Sequence, residues 1–100
     1  MSTDIDHRKA AEESLQALVK RVEAGPRSAN VNAFLEECSF LVVAIHAFHM
    51  EGIRFRMFNV DRMINKGAVT LDEGARAAFA DVRRHLEAAG FHTRSHQAPT

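Results

Sequence analysis

His46 and His49 stand three residues apart in the longest apolar stretch of the chain, Phe40 to Met50. On a helix that spacing places two imidazoles on neighbouring faces of one turn, near enough to hold one metal ion. Imidazole nitrogen suits a divalent metal or a haem iron. Either site needs further ligands, and Glu37, Cys38 and Glu51 are the local candidates. Cys38 and His49 share a helical direction, but the rise between them holds them about 16 Å apart within one chain. An antiparallel pair of chains crossing near Ala44 would bring Cys38 of one to His49 of the other. The spacing H-x-x-H is common, however, and two histidines in an apolar run also fit a satisfied core pair. A buried imidazole needs a partner for each nitrogen and loses stability without them. Two of them in such a run therefore suggest more than packing.

Other chemistries find less support. Cys38 lies on an apolar face beside Glu36 and Glu37. Burial and nearby acids both raise a thiol's pKa, so it reads as a small buried hydrophobe and not as a nucleophile. A phosphorylated His49 would want a cation beside it, and Met50-Glu51-Gly52 offers an acid. Arg54, Arg56, Arg62 and Lys66 interleave with Phe55 and Phe58, a pattern that can grip nucleic acid by phosphate contact and base stacking. Glu51 and Asp61 share that segment, where Arg62 can pair with either, and thirteen Lys plus Arg balance thirteen Asp plus Glu. Nucleic acid is thus a disfavoured partner. Arg83 and Arg84 read as helix-end charge. The chain contains no Gly-rich phosphate loop, no paired C-x-x-C and no H-E-x-x-H. No catalytic motif emerges, so an enzyme is not the leading reading.

The elements that must position these residues are set by sparse punctuation: Gly25-Pro26, Asn65-Lys66-Gly67 and Gly90. They divide 100 residues into a single domain over 1–91 and a polar tail over 92–100. From about Asp4 to Ala24, Ala11, Leu15, Leu18, Val19 and Val22 recur at helical spacing, with Thr3 or Asp4 as the cap and Gly25 as a left-handed stop. From Leu71 to Ala89, Ala75, Ala78, Phe79, Val82 and Leu86 continue one narrow stripe. Thr70 and Glu73 read there as a capping box, and Gly90-Phe91 as a stop with an apolar residue folding back.

Between them, Asn32 to Ile64 carries two apolar faces. One holds Phe34, Leu35, Cys38, Leu41, Val42, Ile45, Ile53, Val60 and Met63; the other holds Phe40, Phe48, Phe55 and Phe58. Ile53 to Met57 alternates apolar and basic residues, the period of a strand, but Phe58, Val60 and Ile64 break that alternation and favour helix. A 33-residue helix is about 50 Å long, more than two partner helices can wrap. A second copy of the chain is the simplest cover.

The expected fold is therefore all-α, three helices with a long central one, assembled as a helical-bundle homodimer through Phe40, Phe48, Phe55 and Phe58. With 46% hydrophobic and 26% charged residues, it is too apolar and too neutral for a disordered tail. The lone cysteine precludes an internal disulfide, no secretory leader is recognised, and no stretch is long enough to cross a bilayer. A cytoplasmic setting without membrane contact is expected. The leading functional reading is a regulatory or adaptor module that binds a protein partner. The competing one is a metal, haem or small-ligand protein, which includes an enzyme, centred on His46 and His49. His46, Arg54 and Asp61 would there orient a polar ligand against the Phe face.

Overall fold

A computed structural model describes residues 6–91 and Thr93. Among these residues the chain is all-helical, without strands: α1 is His7–Glu23, α2 Ala29–His46, α3 Met50–Asn65 and α4 Glu73–Ala88. Each helix opens on a side chain that accepts an amide left free by the first turn. Asp6 accepts from Lys9, Ser28 from Val31, His49 from Gly52 and Asp72 from Ala75.

The helix expected over 32–64 is two helices, so the fold has four helices where three were expected. The break lies at Ala47-Phe48-His49, where neither glycine nor proline stands. The Phe48 amide donates to the Ile45 carbonyl at 3.1 Å, and the His49 amide to the Ala44 carbonyl at 3.0 Å. That is a Schellman turn, and Phe48 fills its left-handed position with φ 57°. Gly67 and Gly90, at φ 79° and 97°, close α3 and α4 the same way.

The physical reason for the break is burial. A left-handed L-residue costs roughly 1–2 kcal/mol. Burying one Leu, Ile or Met side chain returns roughly 1.5–3 kcal/mol. Folding α3 back on α2 buries Leu41, Ile45, Ile53, Met57 and Val60 completely within one chain. The alternating residues 53–57 lie inside α3, as helix.

Other expected ends move as well. Gly25 is not left-handed, and α1 ends on Ala24 in the right-handed region. Asp72, not Thr70, caps α4, so the capping box at Thr70 and Glu73 is not formed. Thr3 and Asp4 lie outside the described residues, as does the polar tail apart from Thr93. Gly90-Phe91 behaves as expected: the Phe91 amide returns to the Leu86 carbonyl at 2.9 Å and its ring is buried.

α1 packs on α4 and on α2, and α2 packs on α3. The resulting body is flat, 45 × 36 × 21 Å. Arg83 ties α3 to α4. Its Nη2 donates to both Asp61 oxygens at 2.6 and 2.5 Å, and its Nη1 donates to the carbonyl and hydroxyl of Thr93. Thr93 is buried and donates in turn to Glu87. Arg83 is thus a nearly buried staple, not a helix-end charge, and Asp61 pairs with it and not with Arg62.

Two glycines test the close approach of the elements. A Cβ on Gly52 would stand 2.7 Å from His49 Nδ1 and 3.3 Å from the Ala44 methyl. A Cβ on Gly74 would meet only the mobile guanidinium end of Arg21. Gly74→Ala should therefore stabilise by about 0.5–1 kcal/mol, the ordinary helix gain. Gly52→Ala should destabilise by about 1 kcal/mol, because it displaces the cap of α3. Paired urea melts check this; a stabilising Gly52→Ala would contradict the packing of α3 on α2.

Candidate functional site

The hairpin of α2 and α3 sorts its residues into two faces. Cys38, Leu41 and Ile45 turn inward on α2, and Ile53, Met57 and Val60 on α3. The opposite positions remain in solvent: Phe40 is 43% exposed, Val43 66%, Phe55 55% and Phe58 43%, with Met50 alongside at the start of α3. The Arg56 guanidinium lies over the Phe40 ring at 4.4 Å and the Phe55 ring at 4.9 Å, which makes these rings neighbours across the hairpin. The same guanidinium donates to both Glu37 oxygens, at 3.3 and 3.0 Å, and Asn59 donates to Glu37 at 3.0 Å. Arg62 sits 5.8 Å from the Phe58 centroid, and Arg54 stands 3.7 Å from Glu51. Arg54 and Arg56 each have an acid within reach. This is an exposed apolar face with paired charges.

Phe48 is exposed as well, at 63%, but stands at the turn between the helices. The left-handed turn places its ring 6.4 Å from Phe91 and under the Arg8 guanidinium at 4.5 Å. Arg8 keeps its Nε buried with no hydrogen-bond partner among the described residues.

The histidines singled out by spacing are not core residues. α2 ends at His46, the break follows, and both His46 and His49 are exposed. His46 Nδ1 lies 3.6 Å from Glu12, and His49 spends its Nδ1 on the cap of α3. Cys38 is buried in the core, and burial, then the charge of Glu37, pushes its thiol up to about 12. Glu37 is held by Arg56 and Asn59, and Glu51 faces Arg54. Cys38 is buried on α2 while His49 is exposed at the start of α3, so the two no longer share one helical face. Among the described residues no group of three or more His, Cys, Asp or Glu is gathered to hold a metal. Two surface grooves, of about 370 and 420 Å³, lie beside Arg21 and Asp72 and beside Lys20 and Ser39, and neither is lined by His46, His49 or an exposed Phe.

A pair that spacing did not single out is His7 on α1 and His85 on α4. Their Nδ1 atoms are 2.9 Å apart, with ring centroids 5.2 Å apart and planes tilted by 33°. His85 sits in the last turn of α4 and His7 opens α1, so antiparallel packing brings them together. Burial lowers the pKa of His85, the charges of Arg84 and His7 lower it further, and Asp81 opposes them. The sequence carries a faint sign of this pair. His7 precedes Ala11 by one helical step of four, and His85 follows Val82 by one of three, so each extends its helix's apolar stripe.

No family model, curated protein or solved structure matches the chain. No helix among the described residues is long and apolar enough to cross a membrane.

The state of Cys38 is directly measurable. An aromatic disulfide reagent at pH 8 attacks the thiolate, and a thiol shifted this far is almost wholly protonated there. Labelling of the native protein should be at least about 100-fold slower than of the urea-unfolded chain. Equal rates would contradict the burial of Cys38.

Proposed function

We propose that this chain is a small helical homodimer that acts by binding, with the aromatic face of α2 and α3 as its dimer interface. The observation that carries the reading is the exposure of Phe40, Val43, Met50, Phe55 and Phe58 on one helical hairpin. Scattered apolar residues are normal on any surface; what supports an interaction site is that three half-exposed aromatic rings gather on one hairpin. A whole aromatic side chain covers about 150–250 Å², so these half-exposed residues present roughly 400–500 Å² of apolar surface. A standard interface buries about 800 Å² per partner, and the charged rim of the same hairpin supplies the remainder.

A second copy suits this face better than other occupants. Around a two-fold axis the patch meets itself, and each basic residue can face an acid of the partner. Arg54, Arg56 and Arg62 share the hairpin with Glu36, Glu37 and Glu51. Such a mixture complements itself, whereas a nucleic-acid partner wants an excess of positive charge. The flat shape of the body also favours stacking of two copies face to face. As a dimer the protein would serve a regulatory or adaptor role in the cytoplasm, where a free thiol such as Cys38 is at home. A metal or small-ligand role at His46 and His49 has less support, because His49 Nδ1 is engaged and no third ligand is gathered there.

Sedimentation equilibrium at micromolar concentration should give about twice the 11.1 kDa chain mass. Phe55→Glu, at an exposed position, should leave the helical spectrum intact and yield a single-chain mass. A wild-type protein that sediments as one chain would overturn the proposal, and so would a Phe55→Glu variant that stays dimeric.

A further inference from the structure

We propose that the hydrogen bond between His7 and His85 is an acid-sensitive clasp on the seam of α1 and α4: it stays closed with at most one extra proton, and a second proton opens it and releases the first turn of α1. The geometry carries it. The two Nδ1 atoms face each other at 2.9 Å, with the ring centroids 5.2 Å apart. With both rings neutral, one Nδ1–H donates to the lone pair of the other. With one extra proton, an imidazolium donates to a neutral ring, a charge-assisted bond that is stronger still. With two, both Nδ1 atoms carry hydrogens, no acceptor is left, and two like charges meet.

The surroundings confine the opening to one turn. Both rings are half-buried, so protons reach them from solvent. The buried stripe of α1, Ala11, Leu15 and Leu18, begins one turn beyond His7 and holds the rest of the helix on α4. Beside His7, Arg8 lays its guanidinium over the exposed Phe48 ring and keeps a buried Nε with no hydrogen-bond partner among the described residues. Release of the turn returns water to that Nε, which favours opening once the clasp is broken.

The neighbouring charges set the direction. Burial of His85 resists its protonation, the charges of Arg84 and His7 resist it further, and Asp81 opposes them. Arg84 is itself paired with Asp81 at 2.9 Å. On α1, Arg8 faces Glu12 at 3.7 Å, and Asp6 accepts the Lys9 amide. From the end of α2, His46 stands 3.6 Å from Glu12 and gains attraction on protonation, the opposite sign, but its side chain is 76% exposed and solvent screens it. A free imidazole takes up its proton near about pH 6.5. Below that pH the released turn leaves both rings free to be protonated, whereas the closed clasp holds one extra proton at most. The released state therefore binds more protons, so closure is favoured above about pH 6.5 and is lost as the pH falls below it.

The test is NMR of the untagged, nitrogen-15-labelled full-length chain between pH 7.5 and pH 5.0. A nitrogen–nitrogen coupling across the hydrogen bond should join the two Nδ1 atoms at pH 7.5 and vanish at pH 5.0, a readout that needs no variant. The Ala10 amide donates to the Asp6 carbonyl at 2.9 Å within the clasped turn. Its hydrogen-exchange protection factor, which removes the intrinsic pH dependence of exchange, should fall about tenfold or more over that range. Protection at Met57, in the core of α3, should hold. His85→Gln sets a neutral amide opposite His7 that never takes the second proton, so protection at Ala10 should stay level with pH. His46→Gln should keep the wild-type fall. No coupling at pH 7.5, a pH-independent Ala10 in the wild type, equal losses at Ala10 and Met57, or an undiminished fall in His85→Gln would each overturn the clasp.

Discussion

At residue 48 a phenylalanine holds φ at 57°, a conformation that burdens an L-residue by roughly 1–2 kcal/mol. Everything on the α2–α3 hairpin depends on that reversal. It ends α2 by returning the Phe48 and His49 amides to Ile45 and Ala44. It frees the His49 ring to cap α3, and it lets Gly52 pass close to Ala44. With α3 folded back, one apolar face of the segment becomes the core of a single chain, and Phe40, Phe55 and Phe58 remain in solvent. A continuous helix would have exposed both faces. The reversal resolves half of that excess and leaves the other half exposed.

Charge then fixes how the hairpin sits. Glu37 gathers Arg56 and Asn59, which sets the guanidinium between the Phe40 and Phe55 rings. Arg83 reaches from α4 to Asp61 on α3 and to Thr93 beyond the last helix. An arginine with two such partners and little solvent is worth more than a surface ion pair, and its planar fork imposes a register that a lysine could not. Exposed pairs such as Arg84 with Asp81 contribute little by comparison.

The amphipathic stripes of α1 and α4 were legible from spacing, since Leu15, Leu18, Phe79, Val82 and Leu86 keep helical period and are buried. The stops at Gly67 and Gly90 were legible because the left-handed position there is filled by glycine. The two faces of the middle segment were legible too, including which one turns inward. The break between them was not, because its left-handed residue is a phenylalanine and carries no local sign. That one omission made His46 and His49 look buried, whereas the buried residues of α2 end at Ile45. Asp72 and Thr70 offer similar caps two residues apart, and local rules do not choose between them. His7 with His85, and Asp61 with Arg83, are separated by 78 and 22 residues. Such pairs follow from how helices pack and have no signature in local spacing.

The reversal at Phe48 can be measured as a distance. Nitroxide labels on cysteines introduced at the exposed residues Ala33 and Asn65, with Cys38 replaced by Ala, bracket the hairpin. Diluting labelled chain into unlabelled chain restricts the dipolar signal to one molecule. Antiparallel helices lie about 8–10 Å apart, so with the label tethers the distribution should centre below about 25 Å. An unbroken helix would hold the same two positions about 48 Å apart, and a peak there would contradict the account.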